Sequence, residues 1–311
     1  MTSKRLAGID IGTLTCRLLI ADLPADNRLN ELCSERRILR LGEGVDQSKR
    51  LKHEAVERVV HCLKDWRATI ESYHVHAHVA VATSAVRDAA NKQEFLNRVR
   101  SEAGFEVEIL SGDEEARRTM LGIHSGLPGD ITDVLALDIG GGSTEFILAL
   151  QRQSPVVRSL DIGVVRLSER LLHHDPPTRH EIAEARAWIQ RETTVVLATM
   201  PRRTGLTFVG TAGTITSLAA MALQLPAYDA ARIHNYRLAL NTITGLEKHL
   251  LSRSKAARIG MPGLERNRED VIAAGAIILQ TVMEMLGEEE CLVSDLGLRE
   301  GILLDLAMQT R

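Results

Sequence analysis

The chain has 311 residues, enough for two domains of ordinary size, each with its own core. An apolar fraction of 44% and a charged fraction of 25% are those of a soluble globular protein, and no apolar run approaches the roughly 18 residues of a membrane span. A net charge of −3, with two Trp, three Tyr and four Phe, argues against a nucleic-acid coat or a base-stacking platform. An anionic substrate met by local charge in a cleft stays open.

The opening Met1-Thr-Ser-Lys-Arg-Leu-Ala-Gly-Ile-Asp10 leads straight into a strand, leaving no room for a signal peptide. Cys16, Cys33, Cys62 and Cys291 show no C-x-x-C pairing, which fits a reducing cytoplasm. Gly8-Ile-Asp-Ile-Gly-Thr-Leu-Thr-Cys-Arg-Leu-Leu-Ile20 reads as an apolar strand with a buried Asp10, a turn through Gly12, Thr13 and Thr15, and a second strand carrying Arg17. A third strand through Arg36 and Arg37 ends at Arg40, beside Gly42 and Gly44. Val56, Val59, Val60, Leu63, Trp66 and Ile70 recur at helical spacing over 52–72.

Val75 to Thr83 alternates as a strand and runs into a polar turn, Ser84-Ala-Val-Arg87-Asp88. His74, His76 and His78 alternate on it, a pattern that suits a polar strand face better than a metal site. Residues 91–103 read as helix and 107–110 as strand. Strands alternating with helices indicate an α/β layer fold. Ser111 with Glu114 three residues on is a capping box, so a helix starts at Gly112 and Glu114 bonds its start. The Gly/Pro-rich segment from Ser125 to Asp133 marks a domain boundary. Ala136-Leu-Asp-Ile-Gly-Gly-Gly-Ser-Thr-Glu-Phe-Ile-Leu148 then repeats the first hairpin: Asp10 matches Asp138, Gly12 matches Gly140, and Thr15 and Arg17 match Ser143 and Glu145. Asp175 to Glu181 is a loop entering a second capping box, and His173-His174-Asp175 is followed at once by Pro176-Pro177, which removes the helix a metal dyad would need. A short strand at 206–210 precedes a helix opened by Thr211 and running to about Leu223. An apolar helix spans 270–286, and Ser294 to Gly301 introduces the last helix.

Two such hairpins imply two related halves facing across a cleft, with the chemistry at their interface. Gly140, Gly141 and Gly142 let the backbone approach a phosphate, Ser143 and Thr144 add hydroxyls, and Asp138 and Glu145 are placed to hold Mg²⁺. An ordinary glycine hairpin is the bland alternative, and the Asp10–Thr13 copy counts against it. Glu115 is a candidate base, kept ionised by the helix N-terminus, although acids in a first turn also serve dipole matching alone. Arg87 and Arg40 could brace a phosphate or be ordinary surface arginines. Gly210-Thr211-Ala-Gly213-Thr214 could seat an anion on helix amides or form a tight turn. P-loop, nucleophile-elbow and zincin motifs are absent.

Taken in order, Asp10-Ile-Gly-Thr13, Ala82-Thr-Ser84-Ala-Val-Arg87, Leu110-Ser-Gly-Asp-Glu-Glu115-Ala, Asp138-Ile-Gly-Gly-Gly-Ser-Thr-Glu145 and Gly210-Thr-Ala-Gly-Thr214 resemble the exopolyphosphatase/guanosine pentaphosphate phosphohydrolase (Ppx/GppA) family over nearly the whole chain, to Asp295-Leu-Gly-Leu-Arg-Glu-Gly301. The resemblance implies an α/β fold of two actin-like (ribonuclease H-like) domains, 1–124 with the terminal helix 298–311 returning to it, and 125–297, with an interdomain active-site cleft. It implies Glu115 as catalytic base, Asp138 and Glu145 as ligands of Mg²⁺ (or Mn²⁺), and Arg87 on phosphate. Asp10, Gly12, Thr13, Thr15, Arg17, Arg40, Ser84, the Gly140–Thr144 turn, Gly210, Thr211, Gly213 and Thr214 complete the expected substrate site. Leu14 stands where family members often carry Asn, and the chain reads as a short form lacking a C-terminal HD-like domain. The expected activity is Mg²⁺-dependent release of orthophosphate from inorganic polyphosphate. Guanosine pentaphosphate is the alternative substrate; an actin-like ATPase or kinase and a silent phosphate-ligand sensor are more distant rivals. A cytoplasmic homodimer, with no nucleic-acid or membrane partner, is the expected setting.

Overall fold

The computed structural model describes residues 4–23, 29–151, 153–201 and 203–309. The chain divides into two units, Met1–Ser125 with Leu296–Arg311, and Gly126–Asp295.

In the first unit, apolar residues at period two bury both faces of a central strand. The elements run β1 (Lys4–Ile11), β2 (Thr15–Leu23), β3 (Asn30–Ile38), α1 (Val45–Ser48), α2 (His53–Ser72), β4 (Ala77–Ala82), α3 (Ser84–Asp88), α4 (Lys92–Arg98), β5 (Val107–Ile109) and α5 (Gly112–Gly126). The sheet has the order β3-β2-β1-β4-β5. Its first three strands form an antiparallel meander, and β4 and β5 add parallel to β1. Ile9, Ile11, Leu18 and Ile20 join the apolar stripe of α2, including Val59, Leu63 and Trp66, on one side. Leu6, Leu19 and Leu23 point to the other.

The second unit repeats this plan and extends it. Its elements are β6 (Val134–Ile139), β7 (Thr144–Ala149), β8 (Val156–Leu160), α6 (Val164–Leu171), α7 (Arg179–Thr199), β9 (Thr207–Thr211), α8 (Ala212–Ala222), α9 (Ala230–Ile233), β10 (Arg237–Ala239), α10 (Leu240–Leu251), α11 (Lys255–Arg258), α12 (Ile272–Leu286) and β11 (Glu290–Val293). The sheet order β10-β11-β9-β6-β7-β8 contains the same five-strand sequence as the first unit, with β10 added antiparallel at one edge. α12 is apolar around most of its circumference and accordingly buried from Ile272 to Met283. α7 starts on the capping box read from the sequence, Thr178 accepting from the Glu181 amide and Glu181 from the Thr178 amide.

The last helix, α13 (Leu298–Gln309), belongs to the first unit, where Leu303 and Ala307 cover Leu6 and Leu19. Its expected last two residues, Thr310 and Arg311, lie outside the described residues. α13 meets α5 backbone to backbone. A Cβ on Gly301 would stand 1.7 Å from the Arg118 carbonyl oxygen, and one on Gly122 1.9 Å from that of Gly297. Only glycine permits such an approach.

Several local expectations change. β4 begins at Ala77, so of the three alternating histidines only His78 is in the strand, edge-on to Phe105. His76 instead accepts from the Arg5 amide. The polar turn after β4 closes into the single helical turn α3, and the 91–103 helix widens into a π-turn at Val99–Ala103. Among the described residues no helix is long and apolar enough to cross a membrane.

Because the α5–α13 contact leaves no room for a side chain, Gly122→Ala is expected to cost about 1–3 kcal/mol. Gly129→Ala, where an added Cβ meets nothing within 4 Å among the described residues, should stay within about 0.5 kcal/mol of the parent. Equilibrium urea unfolding followed by circular dichroism measures both.

Candidate active site

The two hairpins share their hydrogen bonding as well as their sequence. The Gly12 amide donates to the Thr15 carbonyl at 3.1 Å, and the Gly140 amide to the Ser143 carbonyl at 3.0 Å. In the first hairpin a Cβ on Gly12 would sit 2.8 Å from the Thr15 carbonyl oxygen, so the turn demands glycine. Their flanking strands pair Asp10 with Arg17 and Asp138 with Glu145. The backbone is duplicated; the charges are not.

In the first unit, Arg17 donates from Nη1 to Asp10 Oδ2 at 3.2 Å. Asp10 is 3% exposed, and its Oδ1 is buried with no hydrogen-bond partner among the described residues. Burial pushes its carboxyl above the ordinary carboxylate value, and Arg17 only partly opposes this. Thr13 and Ser84 share a hydrogen bond of 2.8 Å between their buried hydroxyls. The Leu14 side chain is buried, and its carbonyl accepts from the Leu39 and Arg40 amides. Arg40 therefore lies beyond the end of β3, in the left-handed region at φ 54°. Thr15 is buried beside the turn.

Glu115 sits in the first turn of α5. The Ser111 hydroxyl accepts from the Glu114 amide at 3.2 Å, the half of the capping box that starts the helix. The Glu114 carboxylate does not return the bond; it goes to Arg117 and Arg118, because a guanidinium is a stronger donor than a neutral amide. Glu115 is 9% exposed, and its Oε2 accepts from Arg87 Nη1 at 3.1 Å. The same Nη1 donates to the Leu110 carbonyl at 2.8 Å. Arg87, expected on phosphate, thus also anchors the candidate base.

In the second unit the glycine turn is braced from behind. The Gly140 carbonyl accepts from the Val164 amide at 3.0 Å and the Gly141 carbonyl from Val165 at 2.8 Å. Carbonyls that would repel an anion are thereby spent on the start of α6. Gly163 packs so closely that a Cβ there would meet the Gly141 backbone at 2.4 Å, and Gly142 adjoins the same contact. Ser143 is buried, and the Thr144 hydroxyl is turned onto the Ile162 carbonyl. Glu145, 2% exposed, accepts from Ser159 Oγ at 2.8 Å.

The turn from β9 to α8 is set by packing. A Cβ on Gly210 would lie 2.5 Å from Cys291 Sγ, and one on Gly213 2.5 Å from Arg268 Nη2. The Thr211 hydroxyl donates to the Ser294 carbonyl, and Thr214 lies against Gly275. The buried Arg268, lying on Gly213 and bonded to Glu265, was not foreseen. Nor was Ser159. Each belongs to a segment without a motif, and only the fold brings it to the turn.

Among the described residues no three or more His, Cys, Asp or Glu side chains gather to cage a metal. Mg²⁺, however, is commonly held by one or two carboxylates, with waters and substrate phosphate completing its shell. Asp138 and Glu145 fit that pattern. Like charges directly opposed across a strand pair are destabilising, which a cation would relieve.

The repeated strand order and the two matching glycine hairpins define a duplicated α/β protein. The chain belongs to the Ppx/GppA phosphatase family, whose sequence model matches residues 19–310. It is 35% identical to exopolyphosphatase 2 of Mycobacterium tuberculosis over 99% of this chain and 100% of that one. Among solved structures it is similar to the Aquifex aeolicus family member, with 33% identity and a TM-score of 0.84 over 100% and 99% of the two chains. It is similar also to an exopolyphosphatase from Cytophaga hutchinsonii, with 28% identity and a TM-score of 0.89 over 98% of each.

A raised Asp10 carboxyl has a thermodynamic sign. The unfolded chain gives up this proton first, near the ordinary value of about 4, so folded stability falls as pH rises from there toward the raised native value. Asp10→Asn should therefore raise the unfolding temperature at pH 7 and lose that advantage below about pH 4, while phosphate release drops. Thermal unfolding across pH, beside an activity assay, measures the trade.

Proposed function

We propose that this phosphatase removes the terminal phosphoryl group of inorganic polyphosphate, releasing orthophosphate. The observation that carries the reading is the charge asymmetry of the hairpins. Asp10 opposite Arg17 makes a near-neutral pair beside a hydroxyl-lined turn, suited to an anion; Asp138 opposite Glu145 makes an acidic pair, suited to a cation. Phosphate and Mg²⁺ are the ligand types that the two hairpins, each taken by itself, are suited to. The exopolyphosphatase relatives support the same substrate class.

Glu115 takes the proton of the attacking water or aligns it, with Arg87 fixing the carboxylate. Within the first unit the hydroxyls of Thr13 and Ser84 beside the Gly12 turn are the groups to orient phosphoryl oxygens, and within the second unit Ser143 and the backbone of its own glycine turn are the corresponding groups. Asp138 and Glu145 would hold Mg²⁺ (or Mn²⁺), which when bound spreads charge at the transferring phosphorus. Gly210–Thr214 and Arg40 remain candidates for more distant phosphates.

Glu115→Gln is expected to lower kcat for orthophosphate release from polyphosphate by about 10²–10⁴-fold, the range of a lost general base, with an unchanged circular dichroism spectrum. Near-normal turnover would remove Glu115 from this role. Polyphosphate, guanosine pentaphosphate and ATP assayed side by side should rank polyphosphate first in kcat/KM; ATP in front would make the protein an ATPase. Chelation of divalent cations should abolish release, and added Mg²⁺ restore it.

A further inference from the structure

Behind the candidate base, three carboxylates and two arginines form a cluster that the motifs do not announce. Arg118 is 5% exposed. Its Nη1 and Nη2 each donate to the Glu108 carboxylate at 2.9 Å, a two-pronged bond that ties α5 to β5. Its Nε lies 2.9 Å from Glu114 Oε1 and 3.2 Å from Asp305 Oδ2. Arg117 Nη2 reaches Glu114 Oε1 and Asp305 Oδ1, both at 2.6 Å. Asp305, on α13, is buried and accepts a further bond from Gln309. One guanidinium therefore fixes β5, α5 and α13 relative to each other.

That relation bears on Glu115. Arg87 spans the Leu110 carbonyl, just past β5, and Glu115, in the first turn of α5. Its grip on the carboxylate has the right length only while the two elements keep their spacing. The first turn of a helix has few internal bonds to hold it. Ser111 supplies one, and the Arg118 fork on Glu108 supplies the cross-brace on the far side of the turn.

We propose that Arg118, seated by Asp305 of the terminal helix, is a positioning residue for Glu115: it sets the spacing between β5 and α5 that Arg87 measures, without touching substrate. This rests on the reading of Glu115 as the base. Lysine at 118 keeps the charge but cannot fork onto Glu108.

The test is a kinetic cycle with polyphosphate and Mg²⁺, run well below the unfolding temperature. Arg118→Lys and Asp305→Asn are each expected to lower kcat by about 10- to 100-fold, since a misplacement of about 1 Å can cost about 10²-fold, with KM within about twofold. In a Glu115→Gln background neither should lower the residual rate further, because what they position is gone. Glu108→Gln, at a half-exposed carboxylate, should show a smaller loss of the same kind and serves if the buried variants fold poorly. A proportional loss in both backgrounds, a change in KM alone, or an unchanged kcat would overturn the positioning role. Near-normal turnover by Glu115→Gln itself would instead overturn the base assignment, so the two failures are told apart.

Discussion

The proposed chemistry turns on the bond between Arg87 and Glu115, because a carboxylate that is to align water has to be held in place. One nitrogen of the guanidinium, Nη1, donates to both the Glu115 carboxylate and the Leu110 carbonyl. Arg87 also comes from α3, a single helical turn at the end of β4, so the bond unites three pieces of chain around one acidic oxygen. The neighbouring acid, Glu114, is drawn aside by Arg117 and Arg118, and their guanidinium groups hold its carboxyl below the usual range. Two adjacent glutamates thus acquire opposite tasks. Glu114 is engaged by two arginines for structure, and Glu115, engaged by Arg87, is the one left to the proposed chemistry.

The same economy shapes the hairpins. A shared backbone solution, a glycine amide closing onto the carbonyl three residues later, is kept in both units. One cross-strand position then decides each hairpin's electrostatic sense, Arg17 in one and Glu145 in the other. The cost is visible at Asp10, whose buried Oδ1 lacks a partner among the described residues. Burial without full compensation is common where a site is kept ready for a ligand and not for stability.

How far residue order alone disclosed this depends on the range of the interactions. Both hairpins were legible because period-two apolarity, an aspartate near the strand end and a glycine turn are local signals, although of the two aspartates only Asp10 is buried and Asp138 is half-buried. The stripe of α2 and the capping box of α7 were legible for the same reason. At Ser111 only half the reading held: the hydroxyl caps α5, but Glu114 found partners stronger than an amide. The single turn α3 and the π-turn after α4 escaped notice because short or irregular helices leave no periodic trace. Contacts that join distant segments, Arg117 to Asp305, Ser159 to Glu145 and Arg268 against Gly213, have no local signature at all. The apolar pattern also missed the reason for Gly210, which is the sulfur of Cys291.

The chain order of the two units has a consequence for biosynthesis. The second unit is one unbroken stretch, Gly126–Asp295, whereas the first is completed by residues emerging after it. Until α13 leaves the ribosome, the apolar row of Leu6, Leu19 and Leu23 is uncovered, and Arg117 and Arg118 lack Asp305. The N-terminal half therefore stays incomplete through the synthesis of everything that follows it.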